Sequence, residues 1–287
     1  MKIIAIDIGG TNTRVALYDE SLKKLDYKKI TSHPRNYEET MNQVVEFING
    51  HQGVEAIGIS APGPADYQKG VFFNLPNLPG WRNFHFIDFL KQKTNVKNIK
   101  AQNDANLMAL AHHYHFKRTK DDVTQFFTVS TGIGAGLIIE NKIFAGSKGF
   151  GQEIANLPAA WNKESGFGYG QGSIELYASG KGLSLRSNMK AQELLSKYNY
   201  EDNKIIEEAI ESLANLIAIS AAFVNPNLIV FDGSVARYNK WYIMKAIEIS
   251  RKRMFESQWN SLEFKFSELD DDAALIGAFH LVTKNNS

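Results

Sequence analysis

The sequence predicts an α/β fold built twice over. Two segments, IAIDIGGTNTRVALY near the start and FTVSTGIGAGLIIE near the middle, both read as strand, glycine turn, strand. Around them, short apolar strands mix with helices of amphipathic spacing. The length of 287 residues also suits about two domains of ordinary size. Related hairpins in two halves imply a duplicated architecture with a cleft between the halves. The polar segment from Phe116 to Asp122 is the natural boundary. It divides an N-terminal α/β domain over 1–118 from a larger C-terminal one over 119–272, with a last helix over about 273–287.

Each element has its own signal. Lys2 to Ile8 is an apolar strand and Arg14 to Tyr18 a second, joined through GGTN. Tyr37 to Ile48 is helical, because Met41, Val44, Val45 and Ile48 fall on one face. Ala56 to Ile59 is a short strand that runs into the loop SAPGPAD, and NLPNLPGW is a further irregular loop. Asn103-Asp104-Ala105-Asn106 opens a helix just after a strand. Gln125 to Ser130 and Leu137 to Glu140 are strands either side of the turn TGIGAG, and the glycine-rich stretch 145–173 is loop. Ile205 to Ser220 traces the apolar face of a long helix, LIVFDGS is strand and turn, and AALIGAFHLV is the last helix.

Composition removes several classes of function. With no cysteine there can be no disulfide, thiolate zinc site, iron–sulfur cluster or cysteine nucleophile. Lys and Arg total 32 against 31 Asp and Glu, a net charge of +1, which argues against a nucleic-acid partner. The start, MKIIAIDIGG, lacks the apolar run of a signal peptide. The longest apolar stretch, Leu213 to Val224, falls short of the ~20 residues of a membrane span. A cytoplasmic protein with no membrane partner is expected.

Both glycine turns suit an anion, since glycines let backbone amides approach closely and Thr adds a hydroxyl donor. Neither ends in the Gly-Lys-Ser/Thr of a P-loop, and the second runs into a strand where a dinucleotide fingerprint needs a helix. Two ordinary hairpins are the alternative. Asp7 lies near the end of an apolar strand, where a buried carboxylate needs a partner. A water-bridged Mg²⁺ would supply it; a turn-forming Asp is the alternative. Asp104 is an N-cap by position, yet between Asn103 and Asn106 it is also the best-placed acceptor for a hydroxyl proton. His112, His113 and His115 read as a solvated helix face rather than a metal site. Asp270 to Asp272 read as a cap on the last helix, and Arg251-Lys252-Arg253 as a solvated face.

Taken together, DIGGTNTR, PNLPGW, NDAN, STGIGAGLI, IELYASG and DGSVA occur in that order along the chain, and the sequence closely resembles the ROK sugar kinases. The resemblance runs from residue 3 to about residue 280. It implies the actin-like ATPase (ribonuclease H-like) fold, two α/β domains with a central cleft, the last helix packing back on the first domain. It implies ATP and Mg²⁺ as cofactors. Gly9, Gly10, Thr11 and Thr13 of the first turn and Thr131, Gly132 and Gly134 of the second would hold the phosphates. Gly233 and Ser234 would lie by the adenosine, and Asp7 by the magnesium through water. Asn103 and Asp104 would hold the sugar, Asp104 acting as base on its 6-hydroxyl, with Gly63, Glu153, Asn156 and Glu175 as further sugar contacts.

One departure is large. Many ROK members hold a structural zinc with a histidine and three cysteines; here Asn156, Gly166, Gly168 and Ser173 stand at those positions, so no zinc site is expected. Some N-acetylmannosamine kinases and β-glucoside kinases of the family also lack those cysteines. The expected activity is transfer of the ATP γ-phosphoryl group to the 6-hydroxyl of a hexose or N-acylhexosamine, N-acetylmannosamine or glucose first. A β-glucoside kinase and a non-catalytic sugar-binding regulator are the alternatives. Family repressors carry a DNA-binding domain ahead of the kinase-like part; with the first motif beginning at Asp7, none is expected here. A homodimer is expected by the same analogy.

Overall fold

The computed structural model describes residues 1–159 and 169–284. The chain forms two compact units, the first from Met1–Phe116, Asn141–Gly149 and Leu269–Ser287, the second from Lys117–Glu140 and Phe150–Glu268.

In the first unit, β1 (Lys2–Ile8) pairs antiparallel with β2 (Asn12–Asp19), which pairs antiparallel with β3 (Lys24–Thr31). On its other side β1 pairs parallel with β4 (Val54–Ala61), and β4 with β5 (Asn98–Asn103). Strand pleating sends alternate residues of β1 to opposite faces. Ile4, Ile6 and Ile8 join Val15 and Leu17 in a core completed by Met41, Val44 and Ile48 of helix α1 (Tyr37–Asn49). The opposite face is covered by the last helix of the unit, Ala273–Thr283, which packs on β1, β4 and the helix α2 (Asp104–His115). Tyr18, paired with Ile3 across the hairpin, meets Phe279 of that helix edge-on at 5.7 Å.

The second unit repeats this plan. β6 (Thr124–Val129) pairs antiparallel with β7 (Ile133–Ile139) and parallel with β8 (Leu228–Asp232), which pairs parallel with β9 (Glu263–Phe266). Its core collects Phe127, Val129, Ile229 and Phe231 from the sheet against Ile206, Ile210, Leu213 and Ile217. Those last four lie on α5 (Lys204–Val224), the longest helix, capped by Asn203, whose side chain accepts from the amides of Ile205 and Ile206. Short helices α3 (Ile174–Ala178) and α4 (Gly180–Ser187) precede it. Helix α6 (Ser234–Tyr238) follows β8, with α7 (Lys240–Arg251) next and α8 (Ala273–Thr283) the last helix of the chain.

Several sequence expectations need correction. The second turn is only Ser130 to Gly132, because Gly134 and Gly136 already sit within β7. β3 carried no apolar alternation and was not expected; six of its eight residues are exposed. His112 and His113 are fully buried, not solvated. His112 Nδ1 contacts the Met108 carbonyl at 2.7 Å and His113 Nε2 contacts Asn141 Oδ1 at 2.8 Å. Asp270 to Asp272 form a turn of 3₁₀ helix, and Asp272 makes no capping hydrogen bond to α8; it pairs with Lys24 instead. Among the described residues, no helix is long and apolar enough to cross a membrane.

Candidate active site

In the first unit the glycine turn joins β1 to β2. The hairpin closes through the Gly9 amide, which donates to the Asn12 carbonyl at 3.0 Å. Ser32, just past β3, buttresses the turn: its hydroxyl donates to the Gly9 carbonyl at 2.7 Å, and its amide donates to the Thr11 carbonyl. Thr13, expected among the phosphate ligands, is fully buried and its hydroxyl is spent on Ser32 at 3.0 Å. Thr13 therefore supports the turn from beneath, while Thr11 is exposed at its tip. Gly10 lies against Asn77 of the loop before PGW.

Asp7 has the partner that a buried carboxylate needs, and it is a protein group. The Arg14 guanidinium donates to Oδ2 from Nε at 3.0 Å and from Nη2 at 2.6 Å, and the Ser60 hydroxyl donates to Oδ1 at 2.8 Å. Asp7 and Arg14 are directly opposed across the hairpin, so its register was enough to pair them. Burial of Asp7 therefore does not by itself call for a metal. A carboxylate oxygen still accepts more than one hydrogen bond, so the group fits a water-bridged Mg²⁺ but does not require one.

Asp104 opens α2 where β5 ends. The N-cap is not Asp104 but Asn103, whose Oδ1 accepts from the amides of Ala105 at 3.0 Å and Asn106 at 3.4 Å. Asp104, at the first helical position, shares that work: its Oδ1 accepts from the same Ala105 amide at 2.8 Å. The Asn103 amide nitrogen donates to the Tyr67 hydroxyl at 3.2 Å, and that hydroxyl also lies beside Gly63. Gly63, Asn103 and Asp104 therefore share one end of the sheet; Tyr67 had no motif to reveal it.

In the second unit, the turn Ser130–Gly132 is tied to the start of α4. Gly180 donates its amide to the Ser130 carbonyl at 2.8 Å, and Lys181 its amide to the Thr131 carbonyl at 3.1 Å. The Ser130 and Ser234 hydroxyls meet at 3.0 Å. Gly233 has φ of +92° and lies where a Cβ would come within 2.5 Å of the Val129 carbonyl, so only glycine fits. Glu175 Oε1 accepts from the Ile133 amide at 3.3 Å and is pressed against Gly132. Burial raises the Glu175 carboxyl above its ordinary range; the Ile133 amide and Lys181 oppose that shift, and Glu153 adds to it. Glu153, just before the 3₁₀ turn Ile154–Asn156, is raised by desolvation as well.

The zinc set does not fit this chain. Ser173, at one thiol position, is fully buried and its hydroxyl caps α3 by accepting from Leu176. Asn156 stands at the histidine position, and Gly166 and Gly168 lie outside the described residues. The base of this loop is closed by backbone pairing instead, Ala159 to Gly172 at 2.7 Å and Ile174 to Leu157 at 2.8 Å. Among the described residues no group of three or more His, Asp or Glu is arranged to hold a metal.

A model of the ROK family matches residues 3–285. The chain belongs to the ROK family. Glucokinase from Thermotoga maritima is 25% identical over 98% of this chain and 97% of its own. N-acetylmannosamine kinase from Vibrio cholerae is 26% identical over 97% and 98%. Another ROK relative, the xylose repressor of Caldicellulosiruptor bescii, is 25% identical, and the match spans 80% of this chain but only 63% of that protein. Among solved structures, the ROK hexokinase from Thermus thermophilus superposes with a TM-score of 0.84 over 97% of this chain and 96% of that one, at 25% identity. The two mixed sheets are those of the ROK kinase structures, the actin-like ATPase fold. The absence of cysteine leaves this ROK member without ligands for the family's thiolate zinc.

Proposed function

We propose that this chain is an ATP-dependent sugar kinase that transfers the γ-phosphoryl group to the 6-hydroxyl of a hexose or N-acylhexosamine. The observation that carries the reading is Asp104: a carboxylate at the first position of a helix, fixed by the Ala105 amide at 2.8 Å and placed beside Asn103, whose side chain reaches Tyr67 next to Gly63. A hydroxyl nucleophile needs such a positioned acceptor for its proton. Kinase names among the relatives that match nearly the full chain support it.

Phosphoryl transfer asks a protein mainly for alignment and charge neutralisation. Gly10 and Thr11 offer amides and a hydroxyl to phosphate oxygens from the first turn, where Gly9 lets the phosphate approach the backbone, and Thr131 and Gly132 do the same from the second. Gly233 and Ser234 lie by the adenosine. Asp7 holds Mg²⁺ through water, and that ion supplies charge neutralisation on the phosphates when bound. Gly63, Asn103, Glu153, Asn156 and Glu175 orient the sugar, and Asp104 takes the 6-hydroxyl proton. Glucose and N-acetylmannosamine are the first candidates, with a β-glucoside next. The working form is a homodimer.

ADP release with Mg–ATP against glucose, N-acetylmannosamine, N-acetylglucosamine, mannose and a β-glucoside tests this directly. Turnover on one sugar is expected, with Asp104→Asn lowering it at least about a hundredfold while sugar still binds. Sugar binding without turnover in the wild type favours the second reading, a sugar-responsive regulator, which the xylose repressor among the relatives supports.

A further inference from the structure

A nucleotide's phosphates carry several negative charges, and the turn Ser130–Gly132 offers them only neutral donors, with no lysine following it in sequence. The geometry points to Lys181 as the cation of this turn, a ligand of the nucleotide phosphates; the inference rests on the kinase reading above. Two contacts and one electrostatic interaction within the second unit bring its charge there.

The first is backbone anchorage. Helix α4 starts flush against the turn: Gly180 and Lys181 donate consecutive amides to the consecutive carbonyls of Ser130 and Thr131, at 2.8 and 3.1 Å. A Cβ on Gly180 would lie 2.9 Å from the Ser130 carbonyl, so any larger residue would push the helix away. Lys181 therefore has its Cα fixed beside Thr131 before its side chain is considered.

The second contact sets the direction of the side chain. The Lys181 ammonium stands 5.0 Å from the centroid of the Tyr169 ring, and the Tyr169 hydroxyl donates to that same Thr131 carbonyl at 3.2 Å. An aromatic face attracts an ammonium without neutralising it. The third is the effect on Glu175, whose carboxylate accepts from the Ile133 amide at the other end of the turn and feels the Lys181 charge. The ammonium is thus held by an aromatic ring whose hydroxyl is itself bonded to the turn. A long flexible lysine is suited to this, since it meets phosphate as a point charge and needs no planar partner.

A position on an exposed first turn lets Lys181 be changed without disturbing the core. Affinities for ADP and for adenosine, measured by calorimetry at pH 8 on the full chain, separate charge from shape. Lys181→Met keeps the aliphatic stem and loses the charge. It is expected to weaken ADP binding about tenfold or more while leaving adenosine and sugar affinities as in the wild type. Lys181→Arg is expected to restore most of the loss. ADP binding unchanged in Lys181→Met overturns the inference. So does an equal loss for ADP and adenosine, which would mark a distorted turn rather than a missing charge. A wild type that binds neither ligand overturns the kinase reading itself, and is distinguished by needing no variant.

Discussion

At the level of single residues, the structure redistributes roles among neighbours. Asn103 is the N-cap and Asp104 shares the Ala105 amide with it; Thr13 props the turn that Thr11 tops; Arg14 balances Asp7. The motifs located these groups but not the division of labour, because a motif fixes order along the chain and says nothing of which oxygen faces which amide. The histidines teach the same lesson. His280 on α8 is buried, its ring 4.7 Å from that of Tyr114. Burial, and then the charge of Lys284, push its imidazole down from 6.5 to about 4. The folded state therefore resists a proton that the unfolded chain accepts. The resulting loss of stability begins as pH falls through 6.5 and is complete below about 4, reaching about 3 kcal/mol. Denaturant unfolding of wild type and His280→Leu across that window reads it: the variant should lack this acid slope, and parallel curves would refute the assignment.

Among elements, α8 sets the tightest packing of the first unit. A Cβ on Gly58 of β4 would lie 1.9 Å from the Ala278 carbonyl, and one on Gly277 would lie 2.0 Å from the Leu107 carbonyl of α2. Backbone meets backbone in both places, so no rotamer change can make room. Gly58→Ala or Gly277→Ala should each lower stability by about 3 kcal/mol, the upper end of ordinary overpacking. Gly50→Ala, with ordinary helical φ of −68° and its nearest neighbour at 3.4 Å, should fall within about 1 kcal/mol of wild type. Melting temperatures decide, and equal tolerance at Gly58 and Gly50 would contradict this packing. The apolar spacing of α1, α5 and α8 was readable in sequence. These glycine crossings were not, since a glycine there looks like any other interruption of a helix or strand. β3 escaped for the opposite reason: an exposed edge strand needs no apolar pattern.

At the scale of the molecule, two sheets with matching strand directions answer to two hairpin motifs, and that duplication was legible because each hairpin carries glycines at its turn. The return of Asn141–Gly149 to the first unit was not, as nothing in that short segment announces its destination. Backbone hydrogen bonds from Ala159 to Gly172 and from Ile174 to Leu157, with the Ser173 cap, hold the base of this loop without thiolate ligands. Prolonged dialysis against EDTA should accordingly leave the melting temperature unchanged, with no zinc in the protein by mass spectrometry of the metal. A chelator-induced drop of several degrees would reveal a metal site of another composition.

The first unit draws its strands from the beginning of the chain and its covering helix from residues 273–283, whereas the second is nearly continuous from 117 to 268. On the ribosome, the exposed face of β1 and β4 must wait through the synthesis of the entire second unit before α8 emerges to cover it. For that interval the face that carries Tyr18 lacks the helix that covers it in the folded unit. Premature termination anywhere before 273 leaves a fragment that cannot finish the unit it started.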